Sequence, residues 1–255
     1  MDDQLFTRKF VVKTVPLVIV IGCLLYILFY SVNYYFKIPE NSIIYTQGYT
    51  LPITKDVETK EDTNLYKVTA LMIPVFNRTD FLKVMWENRK VYQAYSWKSY
   101  DSTKEAMIAS LNVKIDSNNA QLEKYNVFEE YAYTNYGEEE AEKFLLPIKI
   151  GTETTGNSDS LAIILALIGV HEEKKWVHSN KKIVITGNID ENGNVLPVGT
   201  IDLKALAAAD DKADVFIVPK EQFDEAFKFI GKKPRMKVIP VTNVIETIEW
   251  LDANI

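Results

Sequence analysis

Cysteine is almost absent from the sequence, since Cys23 is the only one among 255 residues. An internal disulfide is therefore excluded, and no cluster of cysteines is available to hold a metal ion. Positive charge is not in excess either, because the net charge is -6 and residues 138–142 include four glutamates. Nucleic-acid binding requires many Lys and Arg side chains to neutralise phosphates, so this composition argues against a nucleic-acid partner. No pattern in the sequence predicts a cofactor site.

A long uncharged run, mostly apolar, occupies residues 14–36. Its length predicts a helix that crosses a bilayer, whose hydrocarbon core requires about 20 residues. Arg8, Lys9 and Lys13 lie on its N-terminal flank, which predicts a cytoplasmic N-terminus and a C-terminal part outside the cell membrane. A cleaved signal peptide and a lipoprotein processing site at Cys23 are the alternatives. The bulky aromatic end of the run and the apolar residues after Cys23 favour a retained, single-pass anchor.

The chain divides into three regions on this basis. Residues 1–37 form the cytoplasmic tip and transmembrane helix, 38–143 an extracytoplasmic α+β region, and 144–255 a region with sharper signals. No repeat or Pro/Gly-rich linker separates the last two, so the middle region is a candidate N-terminal part of one domain. It is predicted to contain a strand at 69–76 and helices from Asp80 to Val91, from the capping-box pair Ser102 and Glu105 to Leu111, and after Asn119.

From residue 144 onward the predicted strands and helices alternate, which is typical of an α/β domain. Asn192-Gly193 predicts a type I′ hairpin turn, because both central residues of that turn need positive φ. The predicted strands lie at 144–150, 183–186, 195–198, 215–218 and 237–241, and the predicted helices at 158–170, 201–210, 221–230 and at the end of the chain to about 251.

The stretch around Ser158 allows two chemical interpretations. Gly151 and Gly156 have the spacing of a phosphate-binding loop, but Asn157 stands where that loop needs a lysine, which argues against an NTPase. Alternatively, Ser158 is a nucleophile at the first turn of a buried helix, where backbone N–H groups and the helix dipole stabilise an oxyanion. A simple N-cap role for Ser158 stays open at this point.

A serine hydroxyl needs a neighbouring base before it can attack. His171 and His178 are weak candidates, since they lie about 20 Å from Ser158 at the other end of its predicted helix. Lys204 lies in a mostly apolar helix. If it is buried, desolvation lowers its pKa towards about 7 to 8 and makes it a usable base; if it reaches solvent, it is an ordinary surface lysine.

Four motifs in sequence order resemble the proteolytic domain of Lon and of membrane-anchored Lon-like peptidases. They are Gly156-Asn-Ser-Asp-Ser-Leu-Ala162, the strands and turn at 185–199, Ile201-Asp-Leu-Lys-Ala-Leu-Ala-Ala208, and Val215-Phe-Ile-Val-Pro-Lys-Glu221. The resemblance implies the Lon proteolytic α/β fold, preceded here by a single transmembrane helix. It further implies Ser158 as nucleophile, Lys204 as base, Thr186 as support for the lysine, and a ring-shaped homo-oligomer. No ATPase module or clear PDZ segment is recognisable.

The chain departs from the family pattern at Asn157, Asp159, Ser160 and Thr200, the last replacing a usual glycine. Asp159 adds a negative charge beside the proposed oxyanion site, which opposes catalysis unless the side chain points away. The sequence therefore supports an anchored, ATP-independent Ser-Lys endopeptidase acting on extracytoplasmic proteins or peptides. The alternative is an inactive Lon-like fold that serves as a binding or assembly module.

Overall fold

The computed structural model describes the chain in separate stretches, and the structural statements below concern these residues: 20–32, 35–36, 40–59, 63–88, 95–149, 156–230 and 235–255. Residues 20–32 are helical, with exposed apolar side chains. Within the described stretches, no helix is both long and apolar enough to cross a bilayer. The predicted transmembrane helix at 14–36 is thus not supported here, and its residues 14–19 and 33–34 lie outside the described stretches.

The strands form one six-stranded sheet and a small hairpin: β1 (Ser42–Pro52), β2 (Leu65–Val75), β3 (Tyr95–Ser99), β4 (Ile183–Ile185), β5 (Asn188–Ile189), β6 (Val195–Leu196), β7 (Val215–Pro219) and β8 (Lys237–Val241). The large sheet has the order β3-β1-β2-β4-β7-β8. Its first three strands pair antiparallel, whereas β4, β7 and β8 continue it in parallel. Leu65 pairs with Ile183, so strands from residues 42–99 and from residues 183–241 share one sheet.

Apart from residues 20–32, the described α-helices are α1 (Arg78–Asn88), α2 (Thr103–Tyr136), α3 (Glu138–Leu145), α4 (Ser160–His171), α5 (Ile201–Asp210), α6 (Phe223–Ile230) and α7 (Val244–Asn254). They cover both faces of the sheet. Successive side chains of a strand point to opposite faces, so neighbouring residues of one strand pack against different helices. Ile183 and Ile185 pack in the cluster that contains α4, whereas Val184 packs in the cluster that contains α5 and α6.

Helix α4 lies at the centre of the larger apolar cluster. All eight side chains of residues 161–168 are buried, which confirms the predicted buried helix and moves its start from Ser158 to Ser160. Gly169 allows a close approach of the next segment, since a Cβ there would collide with Val177 Cγ2. The apolar packing fixes α4 and therefore fixes the turn that precedes it.

Local signals predicted several elements correctly. Helix α5 has the predicted bounds, and β4, β7 and β8 match their predicted strands to within about one residue. The side chain of Ser102 accepts a hydrogen bond from the Glu105 N–H at 3.2 Å, which confirms the predicted start of α2. The strand predicted at 69–76 is confirmed within β2, which begins earlier, at Leu65.

Other predicted elements are wrong in type or extent. The strand predicted at 144–150 is wrong, because Phe144 belongs to α3, where it is buried together with Ala141 one turn earlier. Helix α2 continues far beyond Leu111, since no Gly or Pro stops it before Gly137, its C-cap. Helix α1 begins before Asp80, whose N–H donates to Asn77 Oδ1 at 2.8 Å.

The hairpin between β5 and β6 is confirmed, but its predicted type I′ turn is wrong. Only Gly193 has positive φ, at 76°, whereas Asn192 does not. The Gly193 N–H donates to the Asp190 carbonyl at 3.0 Å, and Asp190 Oδ1 accepts from the Asn192 and Asn194 N–H groups. The hydrogen bonds to Asp190 therefore close the turn, and Asn192 does not need the positive φ that a type I′ turn requires.

Candidate active site

Ser158 lies in the turn immediately before α4 and is partly exposed. Its carbonyl accepts hydrogen bonds from the Gly187 N–H at 2.9 Å and from Thr186 Oγ1 at 3.0 Å. The Leu161 N–H donates in return to the Gly187 carbonyl at 3.0 Å. Three hydrogen bonds therefore hold this turn against the residues that follow β4, with the serine at the N-terminal end of a buried helix.

Thr186 is fully buried, and its observed partner is Ser158 rather than Lys204. The sequence-based expectation gave Thr186 a role in holding the lysine. The hydrogen bond makes it a direct support of the serine turn, and its role beside the lysine stays a prediction.

Thr186→Val should lower the free energy of unfolding by about 1 kcal/mol, because it removes one hydrogen bond while the Ser158 carbonyl keeps its bond to Gly187. Urea denaturation would measure the difference. Thr186→Ser, which retains the hydroxyl, is the matched control for this bond. If Thr186→Val is as stable as the wild type and only Thr186→Ser is destabilised, the methyl group and not the hydrogen bond stabilises this position.

Lys204 lies in the first part of α5 and is only 4% exposed. It therefore does not extend to solvent as an ordinary surface lysine does. Burial lowers the pKa of Lys204 from 10.5 to about 8, with the Asp159 carboxylate acting in the opposite direction. An amine with this pKa is neutral in about a tenth of the molecules at pH 7, whereas an ordinary lysine is almost entirely charged, and only the neutral form can act as a general base.

Thr200 precedes α5 in the left-handed conformation, with φ of 53°. This conformation costs a non-glycine residue about 1 kcal/mol, which gives a physical reason for the glycine usual in the family at this position. The Thr200 carbonyl still accepts the Lys204 N–H at 3.1 Å, so the first turn of α5 is formed.

The structure brings Ser158 and Thr186 into contact and places Lys204 within electrostatic range of Asp159, the residue after Ser158. Among the described residues, no hydrogen bond joins Ser158 Oγ to Lys204 Nζ. Catalytic hydrogen bonds in substrate-free enzymes are often long and tighten only in the complex. The two side chains therefore stay candidates for a dyad.

The two histidines lie at the opposite end of α4, as the sequence predicted. His171 is the last residue of the helix, where its ring packs against Tyr136 and Phe144. His178 ends the 3₁₀ turn Lys175–His178. Within the described part of the chain, no group of three potential metal ligands was found.

A buried ionic network, which the sequence did not predict, lies next to Ser158. Asp159 accepts from Lys124 Nζ at 2.9 Å through Oδ1 and from Lys67 Nζ at 3.2 Å through Oδ2. Lys67 also donates to Asp56 Oδ1 at 2.7 Å. The available signal was Lys67 itself, since it shares a strand face with the buried Leu65. We name Asp56, Lys67, Lys124 and Asp159 the ionic cluster.

The ionic cluster changes the expectation for Asp159. Burial by itself would raise the pKa of this carboxyl, but the ammonium groups of Lys124 and Lys67 outweigh it and hold the pKa below its ordinary value. Asp159 is thus ionised and compensated by two cations. Asp56 differs, because burial raises its pKa despite Lys67, and its Oδ2 has no hydrogen-bond partner among the described residues.

Comparison with known proteins gives a match over the C-terminal region. Residues 146–251 match the family model of the Lon protease (S16) C-terminal proteolytic domain. Over 94 residues the chain is 30% identical to the archaeal Lon proteases of Pyrococcus abyssi and Archaeoglobus fulgidus, and 29% identical to that of Halobacterium salinarum. The matched part is 37% of this chain and 9%, 15% and 13% of the length of those relatives.

Proposed function

We propose that the chain, whose residues 146–251 match the Lon protease (S16) C-terminal proteolytic domain, is an ATP-independent serine endopeptidase with a Ser158-Lys204 dyad. The observation that carries the proposal is the buried state of Lys204, which lowers its pKa to about 8 in the same domain as a partly exposed serine at a helix N-terminus. Fully buried lysines are rare unless they are paired, and a buried group with a strongly shifted pKa is a candidate for a functional role.

In the proposed reaction, Lys204 Nζ takes the proton of the Ser158 hydroxyl while Oγ attacks the scissile carbonyl carbon. The same amine then returns the proton to the leaving amine of the cleaved peptide bond. Water hydrolyses the resulting acyl-enzyme by the reverse sequence of proton transfers. The lysine thus needs to be neutral before attack and cationic after it, which a pKa of about 8 permits near neutral pH.

The N-terminal end of α4 supports the developing oxyanion. The helix dipole places positive potential at Ser158, and the fixed turn keeps the backbone N–H groups from reorienting during the reaction. The two lysines that pair with Asp159 reduce the opposing negative charge. This pairing weakens the main physical argument for the alternative, an inactive binding or assembly module.

An assay of the full-length chain in detergent, on an unstructured fluorescent protein and without nucleotide, tests the proposal. We expect cleavage, unchanged by added ATP, and covalent labelling of Ser158 by a fluorophosphonate detected by mass spectrometry. Labelling without any cleavage would show an activated Ser158 that is not an endopeptidase for unstructured protein. Absence of both would remove the dyad and favour the inactive binding or assembly module.

Membrane anchoring is a further part of the proposal. It is supported by the uncharged run at 14–36 and by the exposure of its described helical part, where Leu24 and Phe29 are 60% and 68% exposed. With basic residues at 8–13, the run would place the peptidase outside the cell membrane, acting on extracytoplasmic proteins or peptides. The full chain should stay in the membrane pellet after alkaline carbonate extraction, and its release would refute the anchor.

The resemblance to Lon also supports a ring-shaped homo-oligomer. Light scattering of the detergent-solubilised chain would measure its mass. A monomer at the concentration used for the activity assay would contradict the ring.

A further inference from the structure

The ionic cluster gathers four charged side chains from separate parts of the fold. Asp56 follows the 3₁₀ turn after β1, Lys67 lies in β2, Lys124 in α2, and Asp159 just before α4. The side chains of Lys67, Lys124 and Asp159 are at most 7% exposed. Removing such charges from water costs several kcal/mol per ion, and stability alone would be served as well by apolar residues. The two lysines take no part in the proton transfers proposed above.

We propose that Lys67 and Lys124 are positioning residues of the peptidase site. They hold Asp159 and the adjoining turn of Ser158 in place, and they compensate the negative charge of Asp159. This inference rests on the proposed function of that site. It also assigns a role to the middle region, since both lysines precede residue 146, where the Lon-type match begins.

Geometry supports the positioning role. Each carboxylate oxygen of Asp159 has its own ammonium partner, Oδ1 with Lys124 and Oδ2 with Lys67. Two partners on different elements fix the plane of the carboxylate. Because Asp159 follows Ser158 directly, a shift of this side chain would be transmitted to the serine through one peptide unit.

Charge balance supports the second part of the role. The Asp159 carboxylate favours the charged form of Lys204. The two cluster lysines pair with that carboxylate, so their positive charges partly cancel its field at Lys204. Two further titratable groups act on this arrangement: Asp56, the fourth member of the cluster, pairs with Lys67, and Tyr125 has a pKa that is raised by burial and by the charges of Asp56 and Asp159. Loss of Lys124 would leave a less compensated carboxylate near Lys204, so the ammonium form would persist to higher pH.

The test uses Lys124→Met in the full-length chain, because Lys124 has Asp159 as its ion-pair partner and methionine preserves much of its length. The pKa of Lys204 is measured by pH-dependent acetylation and mass spectrometry, which needs no catalytic activity. We expect that pKa to rise by about one unit. At pH 7, kcat/KM should then fall about tenfold and recover above pH 9, because only the neutral lysine acts as base.

Two further variants control the measurement. Lys143→Met removes an exposed lysine that pairs with Glu139 and Glu140, and it should leave the pKa of Lys204 unchanged. Asp159→Asn should lower that pKa, and it serves as the decisive variant if Lys124→Met does not fold. Adding Asp159→Asn to Lys124→Met should reverse the upward shift.

The outcomes separate this inference from the proposed function. An unchanged Lys204 pKa in folded Lys124→Met, or in folded Asp159→Asn, would overturn the positioning role even if the wild-type chain cleaves protein. If the pKa shifts as expected but no form of the chain cleaves protein, the ionic cluster keeps its electrostatic role and the peptidase proposal fails.

Discussion

Ser158→Ala should lower kcat/KM on an unstructured protein by about 10⁴-fold or more, the order seen when the nucleophile of a serine hydrolase is removed. The reason is that no acyl-enzyme can form without the hydroxyl, while binding and oxyanion stabilisation persist. The variant should fold normally, since Ser158 is held through its carbonyl by Gly187 and Thr186, and alanine keeps that carbonyl. Initial cleavage rates at several substrate concentrations measure the effect.

Ser160 provides the matched control for this substitution. It lies two residues away and is buried, and its hydroxyl donates to the Asn157 carbonyl at 2.6 Å. Ser160→Ala should cost about 1 kcal/mol of stability and leave kcat within about tenfold of the wild-type value. If Ser160→Ala abolishes cleavage and Ser158→Ala does not, the nucleophile has been assigned to the wrong serine.

Lys204→Met should have two opposite effects. Cleavage should fall by about 10³-fold or more, because the serine loses its base. The folded protein should become more stable at pH 7, since the lowered pKa of about 8 corresponds to about 3 kcal/mol of bias against the charged lysine. A gain in stability together with a loss of activity is typical of a residue retained for catalysis.

The pH dependence of this gain follows from the direction of the pKa change. The unfolded chain binds the lysine proton more tightly than the folded chain, so the stability of the wild-type protein rises with pH between about 8 and 10.5. The advantage of Lys204→Met is therefore fully present below pH 8 and shrinks as pH rises to 10.5. Urea denaturation at pH 7 and at pH 10 measures it.

Lys228→Met on the exposed side of α6 is the control for the removal of a positive charge. It should change the free energy of unfolding by less than about 0.5 kcal/mol at either pH. If Lys204→Met destabilises the protein at pH 7, or if its effect does not vary with pH, Lys204 is not a desolvated amine and the proposed base is wrong.

The C-terminal elements were predictable because their signals are local. Helix α5 is an uninterrupted stretch of helix-forming residues, and β7 is a short apolar run that is buried on both faces. The strands of the middle region were harder to predict. Only part of β2 was identified, while β1 and β3 were missed, since their formation depends on pairing between Ile44 and both Ile73 and Trp97.

The sequence by itself identified Ser158 and Lys204 as candidate catalytic residues, through the order and spacing of the motifs that contain them. It also predicted a Lon-like α/β domain around them. The tertiary structure alone decided that Lys204 is buried and that two lysines compensate the charge of Asp159. Asp159 lies 92 residues from Lys67 and 35 from Lys124, and no local pattern carries the distance between side chains so far apart in the chain. Burial and ion pairing set the charge of each group, so the chemistry available at Ser158 depends on the fold that surrounds it.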